Sequence, residues 1–563
     1  MPSMTTTSNA LHTPELLGLI CRYADIPTRV TLLRVSKSHF SAAVSFVWKN
    51  LESPFHLLQL IPNVTVRERA GSNIDGKFEI TLPPYAGADF SRFDVYAPHV
   101  RSLRIRAAFH KLKTWDTLVS RSKLGPLLPC LSSLTMQRLT RYQTDPLTNE
   151  FMWMQAFLNQ TVTSVYFGRE AGMCTPTVST SGFRSLVDMI SRTCPNLDSL
   201  FLPSVKHNVN EEDQPLHVIP NHSISQHSLP LSGLRKLETG LWIFREEIIR
   251  EIGSLARLDH LLIRNENKSV VLPEHCPIDE TTLRALRNLT IAHVHWANAR
   301  KLLSYQPLVQ NLVSFHIRTP AQLLAMTTWR DAMALFSIRN MSALRNLDIE
   351  FDRIDANLHR LDSKDFFDVL SPLPLETVRM AGVQFIGLLA LNLDKIFPAV
   401  VELRLPHQKA DLKVLSCFAV MPSLKHLAIP FSDWHGTTDW LSRTHSCCPS
   451  LETLELTVIP DEAEDEEDED EEAALPDVYP RLYIHTAATR ILELFPHIKR
   501  IAWPHVDKEL YQHQQLCLLN TRITIIREWN KARGRIAERY GQDAANALLP
   551  DENFLARTLE PFA

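Results

Sequence analysis

Glycine is scarce, at 16 of 563 residues, about 3% against a typical ~7%. That excludes glycine-rich phosphate-binding loops and argues against sandwiches built on tight glycine turns. Long apolar runs are also missing, since none approaches ~18 residues, and the start MPSMTTTSNA has neither the basic nor the apolar region of a secretory leader. No signal peptide and no membrane association is expected. The nine cysteines, Cys21, Cys130, Cys174, Cys194, Cys276, Cys417, Cys447, Cys448 and Cys517, are odd in number, scattered and without a CxxC pair. This is the usage of a reducing compartment, so an intracellular location, cytoplasmic and/or nuclear, is expected. The N-x-S/T triplets at Asn63, Asn159, Asn221, Asn267, Asn288 and Asn340 then count as chance.

A dense basic stripe is lacking as well. Lys and Arg number 59 against 63 Asp and Glu, a formal charge of −4, and Asp461 to Glu472 alone holds eleven acids. Removing eleven negative charges from −4 leaves +7 for more than 500 residues, too mild for a phosphate backbone. Nucleic acid is not an expected ligand. The self-repelling carboxylates predict a disordered loop over 460–476, either a solvated insertion or a docking site for a basic partner. The polar stretch 207–229 predicts a second surface loop.

Catalytic signatures are absent too, with no GxSxG, HExxH or P-loop. His293 and His295 alternate in AHVHW, and Glu274, His275 and Cys276 are adjacent, but neither group repeats at metal-ligand spacing. No cofactor, no metal and no catalytic residue is expected. A hydrolase whose residues converge from distant repeats stays open, to be decided by turnover.

What the chain does contain is a repeat. An apolar kernel ΦxxΦxΦ recurs from Val100/Leu103/Ile105 through Leu131/Leu134/Met136, Val162/Val165/Phe167, Leu197/Leu200/Leu202, Leu258/Leu261/Ile263 and Leu286/Leu289/Ile291. It continues through Leu312/Phe315/Ile317, Leu344/Leu347/Ile349, Leu375/Val378/Met380, Val400/Leu403/Leu405, Leu424/Leu427/Ile429, Leu451/Leu454/Leu456 and Ile498/Ile501/Trp503. Leu234/Leu237/Thr239 is imperfect at its third position. With 45% apolar residues such kernels arise often by chance, so the flank decides. Proline stands two residues ahead of seven of the fourteen, at Pro98, Pro129, Pro195, Pro398, Pro422, Pro449 and Pro496, where its overall frequency predicts about one. The mean step is about 31 residues, the length of a strand-and-helix coil. The alternating end of the kernel predicts a short strand, the intervening stretch a return helix as over Ser363 to Leu370 and Ala410 to Val420, and proline the point where that helix stops.

CPNLDSLFL (Cys194 to Leu202), MPSLKHLAI (Met421 to Ile429) and CPSLETLEL (Cys448 to Leu456) resemble the irregular, long repeats of leucine-rich-repeat proteins found beside F-boxes, over about 70% of the chain. The resemblance implies an α/β solenoid of short parallel strands and return helices. Leu11 to Leu51 resembles an F-box through Pro14, Glu15, Leu16, Leu17, Ile20, Leu32, Leu33, Val35, Ser36, Lys37, Phe40 and Trp48. Three short helices fit it, with Thr13 as N-cap, Pro14 at N1 and Asp25-Ile26-Pro27 as a break. So small a segment buries little apolar surface, and exposed Leu17, Ile20, Leu33 and Val35 would want a partner. A plain helical cap over the first repeat is the alternative.

The F-box resemblance implies a non-catalytic substrate receptor of a cullin-RING ubiquitin ligase. Pro14, Leu16, Leu17, Ile20, Leu33, Val35, Phe40 and Trp48 would meet a Skp-type adaptor, and the repeats would hold a protein target. In a strand with kernel residues inward, the x positions face solvent, which nominates Phe201, His260, His316, Asp348, Arg379, Arg404, His426 and Glu455 as target-binding, on a surface of mixed charge. A leucine-rich-repeat scaffold with no ubiquitin-ligase role is the other reading. The expected organisation is a tail over 1–10, the F-box-like domain over 11–51, a connecting segment over 52–95, the solenoid over 96–504, and a helical cap over 505–563, read from the spacing of Ile523, Ile526, Trp529 and Ile536.

Overall fold

In a computed structural model of the chain the described residues are 13–68, 78–106, 110–137, 148–168, 177–178, 180–202, 204–205, 231–244, 246–264, 272, 278, 282–319, 341–351, 359–433, 447–457, 481–502 and 510–542. The expected tail, the 207–229 insert, the acidic loop, Trp503 and the Glu274 to Cys276 group lie outside them. The chain forms two units, Met1–Val294 and His295–Ala563. Each is α/β, built on a parallel ladder of short strands.

In the first unit the ladder strands are β1 (Asn50–Leu51), β2 (Ser102–Arg106), β3 (Ser133–Gln137), β4 (Ser164–Gly168), β5 (Ser199–Phe201), β6 (Lys236–Thr239), β7 (His260–Arg264) and β8 (Asn288–Ala292). Each pairs in parallel with the next. In the second unit β9 (Ser314–Thr319), β10 (Asn346–Phe351), β11 (Thr377–Ala381), β12 (Glu402–Arg404), β13 (His426–Asp433), β14 (Thr453–Thr457) and β15 (Arg500–Ala502) do the same. Every kernel supplies one strand. Within each unit its middle residue sits opposite the middle residue of the next, as in Leu103↔Leu134 and Leu427↔Leu454, and these residues are buried. Parallel strands need a crossover, and helices such as Trp115–Ser122, Thr148–Phe157, Ser363–Leu370 and Leu412–Phe418 provide it.

One hydrogen-bond arrangement repeats along each ladder. The carbonyl just after the first kernel residue accepts both N–H groups that open the following strand. Arg101 C=O takes Ser132 N–H and Ser133 N–H (2.8 and 3.0 Å), and Arg345 C=O takes Glu376 N–H and Thr377 N–H (2.7 and 3.0 Å). Lys49 C=O does the same for Arg101 and Ser102, both at 2.9 Å. Trp48 and Leu51 therefore stand in the first two kernel places of a coil ahead of Val100. The sequence reading, which placed a domain boundary after Leu51, missed it.

The prolines act inside a turn as well as at a helix end. Ala97, Leu128, Cys194, Phe397 and Phe495, all buried, accept at C=O from the first kernel N–H three residues on, closing a tight turn whose second residue is the proline. Residues 52–95, read as a connector, contain more structure than that word implies. Thr65–Glu68 and Phe78–Thr81 pair antiparallel, and His110–Leu112 extends the sheet in parallel.

The last strand of the second unit has its edge met by a side chain. Asn520, on helix Leu510–Tyr540, accepts from Ile501 N–H (3.1 Å) and donates to Ile501 C=O (3.0 Å), standing where a further strand would be. Replacing Asn520→Leu leaves both backbone groups without the amide. A loss of about 1–3 kcal/mol is expected in urea unfolding, with Asn520→Asp less harmed because it can still accept. Thr239 gives the opposite sign. It occupies the third kernel place of β6, is buried, and its hydroxyl has no hydrogen-bond partner among the described residues. Thr239→Val removes a desolvated hydroxyl at nearly constant volume, so a gain of about 1 kcal/mol in the urea midpoint, with an unchanged m-value, is expected.

Candidate functional site

Two surfaces merit a site description. The first is the N-terminal three-helix segment, α1 (Pro14–Tyr23), α2 (Ile26–Leu32) and α3 (Lys37–Trp48). Thr13 is the N-cap of α1 with Pro14 in its first turn, and Asp25 caps α2 by accepting from Thr28 N–H at 2.9 Å. Helix α1 packs on α3, and Leu17 and Cys21 of the one and Ala43 and Val44 of the other are buried. Leu17 was expected to be exposed. It is 2% exposed because it lies one residue round from the outward row, and that 100° turn carries it into the helix–helix seam. The outward row is Leu16, Leu19, Ile20 and Tyr23, spaced i, i+3, i+4, i+7, with Ile20 42% and Tyr23 83% exposed. Ile26, Val30 and Val35 are exposed beyond it.

The other candidate residues of this segment divide by depth. Pro14 is exposed, while Leu33, also expected on the open surface, is half-buried. Phe40 and Trp48 are half-buried against Tyr96, with ring centroids 5.9 and 4.6 Å away. These two rings join α3 to the coil that leads into β2. Leu19, Tyr23 and Ile26 were not singled out from the sequence, although the helical spacing from Leu16 would have found the first two.

The second surface is the outward face of the ladders, where Phe201, His260, His316, Asp348, Arg379, Arg404 and Glu455 are half-buried and His426 is exposed. Strand register brings His316, Asp348 and Arg379 side by side. His316 Nδ1 lies 2.8 Å from Asp348 Oδ2, and Arg379 Nη1 donates to both Asp348 oxygens at 3.2 and 3.1 Å. Burial alone would raise the Asp348 carboxyl, but the hydrogen bonds and charges of His316 and Arg379 outweigh it and hold it below the ordinary carboxylate value. Arg318 faces Glu350 at 3.6 Å. Arg404 donates to Glu402 (2.5 Å) and, past Ala428, to Glu455 (3.0 Å). In the first unit Tyr166 and Phe201 meet on neighbouring strands with centroids 4.3 Å apart.

Chemistry elsewhere is subdued. Burial pushes the Cys194 thiol up to about 12 and the Cys417 thiol up to about 11, so both are protonated at neutral pH. His295 caps helix Trp296–Ser304 by accepting from Ala297 N–H. A cavity of about 630 Å³ near Tyr85, Phe90, Asp94 and Leu124 is headed by Arg121, whose guanidinium is held by Asp94 at 2.9 Å. Among the described residues no group of three metal-ligating side chains occurs, and no helix is long and apolar enough to cross a membrane.

No protein-family model matches the chain, and no curated protein matches it.

The depressed Asp348 carboxyl fixes a pH dependence. Its stabilisation is full above the unfolded-state pKa of about 3.9 and is lost as pH falls through the lower folded value. Asp348→Asn should cost up to about 1 kcal/mol at pH 7 and should show a smaller further loss than wild type between pH 5 and pH 2, measured by urea midpoints across that range.

Proposed function

We propose that the chain is a non-catalytic F-box and leucine-rich-repeat substrate receptor, bridging a Skp-type adaptor of a cullin-RING ubiquitin ligase to a protein target held on the repeats. The observation that carries this reading is the row Leu16, Leu19, Ile20 and Tyr23, continued by Ile26, Val30 and Val35. Exposed apolar side chains so concentrated on one small helical segment mark a protein-docking surface. The segment runs straight into β1, so whatever docks there is coupled to the strand ladder of the first unit. Such a protein makes no bonds itself. It raises the local concentration of a target lysine beside a ubiquitin-charged enzyme.

The test is capture of a purified Skp-type adaptor by the full chain. Wild type should retain the adaptor, and Leu16→Asp with Ile20→Asp should weaken retention at least tenfold without changing the circular dichroism spectrum or the melting temperature. Leu17→Asp would not serve, because a charge in the α1–α3 seam unfolds the segment it is meant to test. Failure of wild type to retain the adaptor, or full retention by the double variant, removes the ligase role and leaves a repeat scaffold.

A further inference from the structure

The outward faces of the two ladders differ in charge, a difference hidden when they are summed. At the alternating outward positions of β2 to β8 stand four bases, Arg104, Arg106, Lys236 and Arg264, and one acid, Glu238. The same positions of β9 to β15 carry Arg318, Arg379, Arg404 and Arg500 against Asp348, Glu350, Glu402 and Glu455. The second face is neutral, and most of its charges are consumed by one another. The first is basic. Arg104 is met by Glu52 and Arg264 by Glu238 at 3.4 Å, whereas Lys236 is exposed and forms no ion pair among the described residues. Burial and the nearby Lys236 push His260 below its ordinary pKa, so it adds no charge at neutral pH.

Between these bases lies the aromatic pair. Tyr166 and Phe201 occupy the centre of the face, with Arg104 and Arg106 two strands to one side of Tyr166 and Lys236 and Arg264 one and two strands beyond Phe201. Around the pair the preceding outward row is small and polar, Ser133, Ser164 and Ser199. Gly168 follows Tyr166 on the same strand. A Cβ there would fall 2.3 Å from Tyr166 Cε1, so the ring lies over the glycine. In a chain this poor in glycine, a strand glycine covered by an aromatic ring is a placement that costs strand stability and leaves the ring the space a Cβ would take.

From this arrangement we propose that the outward face of β2 to β7 binds an acidic segment of a protein target, with one aromatic or large apolar side chain seated on Tyr166 and Phe201 and carboxylates on either side reaching Arg104/Arg106 and Lys236/Arg264. Strands stand about 4.8 Å apart and an extended peptide advances about 3.3 Å per residue, so carboxylates three or four residues to each side of the aromatic one meet Arg104/Arg106 and Arg264, two strands from the pair, and pass Lys236, one strand from it. A single-stranded nucleic acid also stacks on aromatic rings among bases. The Glu238 carboxylate, in register beside Phe201, opposes a phosphate chain there, and four bases with one acid fall short of a backbone-tracking groove. This inference rests on the reading of the repeats as the target-holding part, and it is independent of the adaptor.

Fluorescence anisotropy with the full chain tests it, using the labelled peptide Glu-Asp-Gly-Ser-Phe-Ser-Gly-Asp-Glu. Saturable binding is expected, at least tenfold tighter than for the peptide with lysine in place of every acid and for the peptide with alanine in place of phenylalanine, and weakening as salt rises. Phe201→Ser and Lys236→Glu should each weaken it at least fivefold while the melting temperature stays within about 2 °C, because both side chains lie outside the core. The proposal is overturned by no binding to wild type, by equal binding of the lysine peptide, by unaltered binding in Phe201→Ser, or by tighter binding of a mixed-sequence single-stranded oligonucleotide. Adaptor capture uses α1 and α2, so loss of capture with peptide binding intact removes the ligase role alone, and the reverse removes the present assignment alone.

Discussion

Each coil is fastened to the next by a carbonyl that serves two amides. Once Arg101 C=O holds Ser132 N–H and Ser133 N–H, the register of β3 on β2 has no freedom, and the same holds wherever the relay repeats. A slip of one residue would turn every kernel side chain outward and every outward polar group into the core. The buried kernels and the relay therefore enforce each other. The ion pairs along the strand openings, Arg235 with Asp259 at 2.7 Å and Lys499 with Glu452 at 2.8 Å, follow this register. Exposed pairs of that kind contribute little each and cannot set it.

The fourteen kernels were legible because a strand with one buried face must alternate and a repeated coil must recur, so pattern and period reinforced one another. The coil formed by Trp48 and Leu51 was not legible. Its third kernel place is Ser53, which breaks the pattern, and its helix already resembled something else. The small sheet of Thr65–Glu68, Phe78–Thr81 and His110–Leu112 escaped for a different reason: its strands are too short and too far apart in sequence to show alternation. Proline stops the helix, as the spacing predicts, and the buried residue just before it, as at Cys194 and Phe495, also closes a turn. That apolar-proline pair was present in the sequence and would have sharpened the repeat.

The site was legible in part. Outward positions follow from the kernel, so Phe201, Asp348 and Arg404 could be placed on the outward face of the strands. Aligning kernels would also have placed His316, Asp348 and Arg379 in one row, since residues at equal offsets become neighbours once the register is fixed. Pooling the charges of all strands obscured the division between a neutral and a basic face. On the helices a place in the pattern does not imply exposure: Leu17 lies in the seam that holds the exposed row in place.

Trp48 and Phe40 bear on how the N-terminal segment and the first ladder act together. Both rings rest on Tyr96, at the start of the turn that opens β2, and Lys49 C=O begins the amide relay one residue after α3 ends. No linker separates the helices from the strands. A freely hinged handle would need residues with solvated backbone at that point, and instead the backbone is committed to β2 on one side and to α3 on the other. Any partner that seated on Leu16, Ile20 and Tyr23 would thereby be held in a defined relation to β2 and its neighbours, where Arg104 and Arg106 lie. Tethering raises local concentration most when its span matches the distance to be bridged, and a fused joint fixes that span.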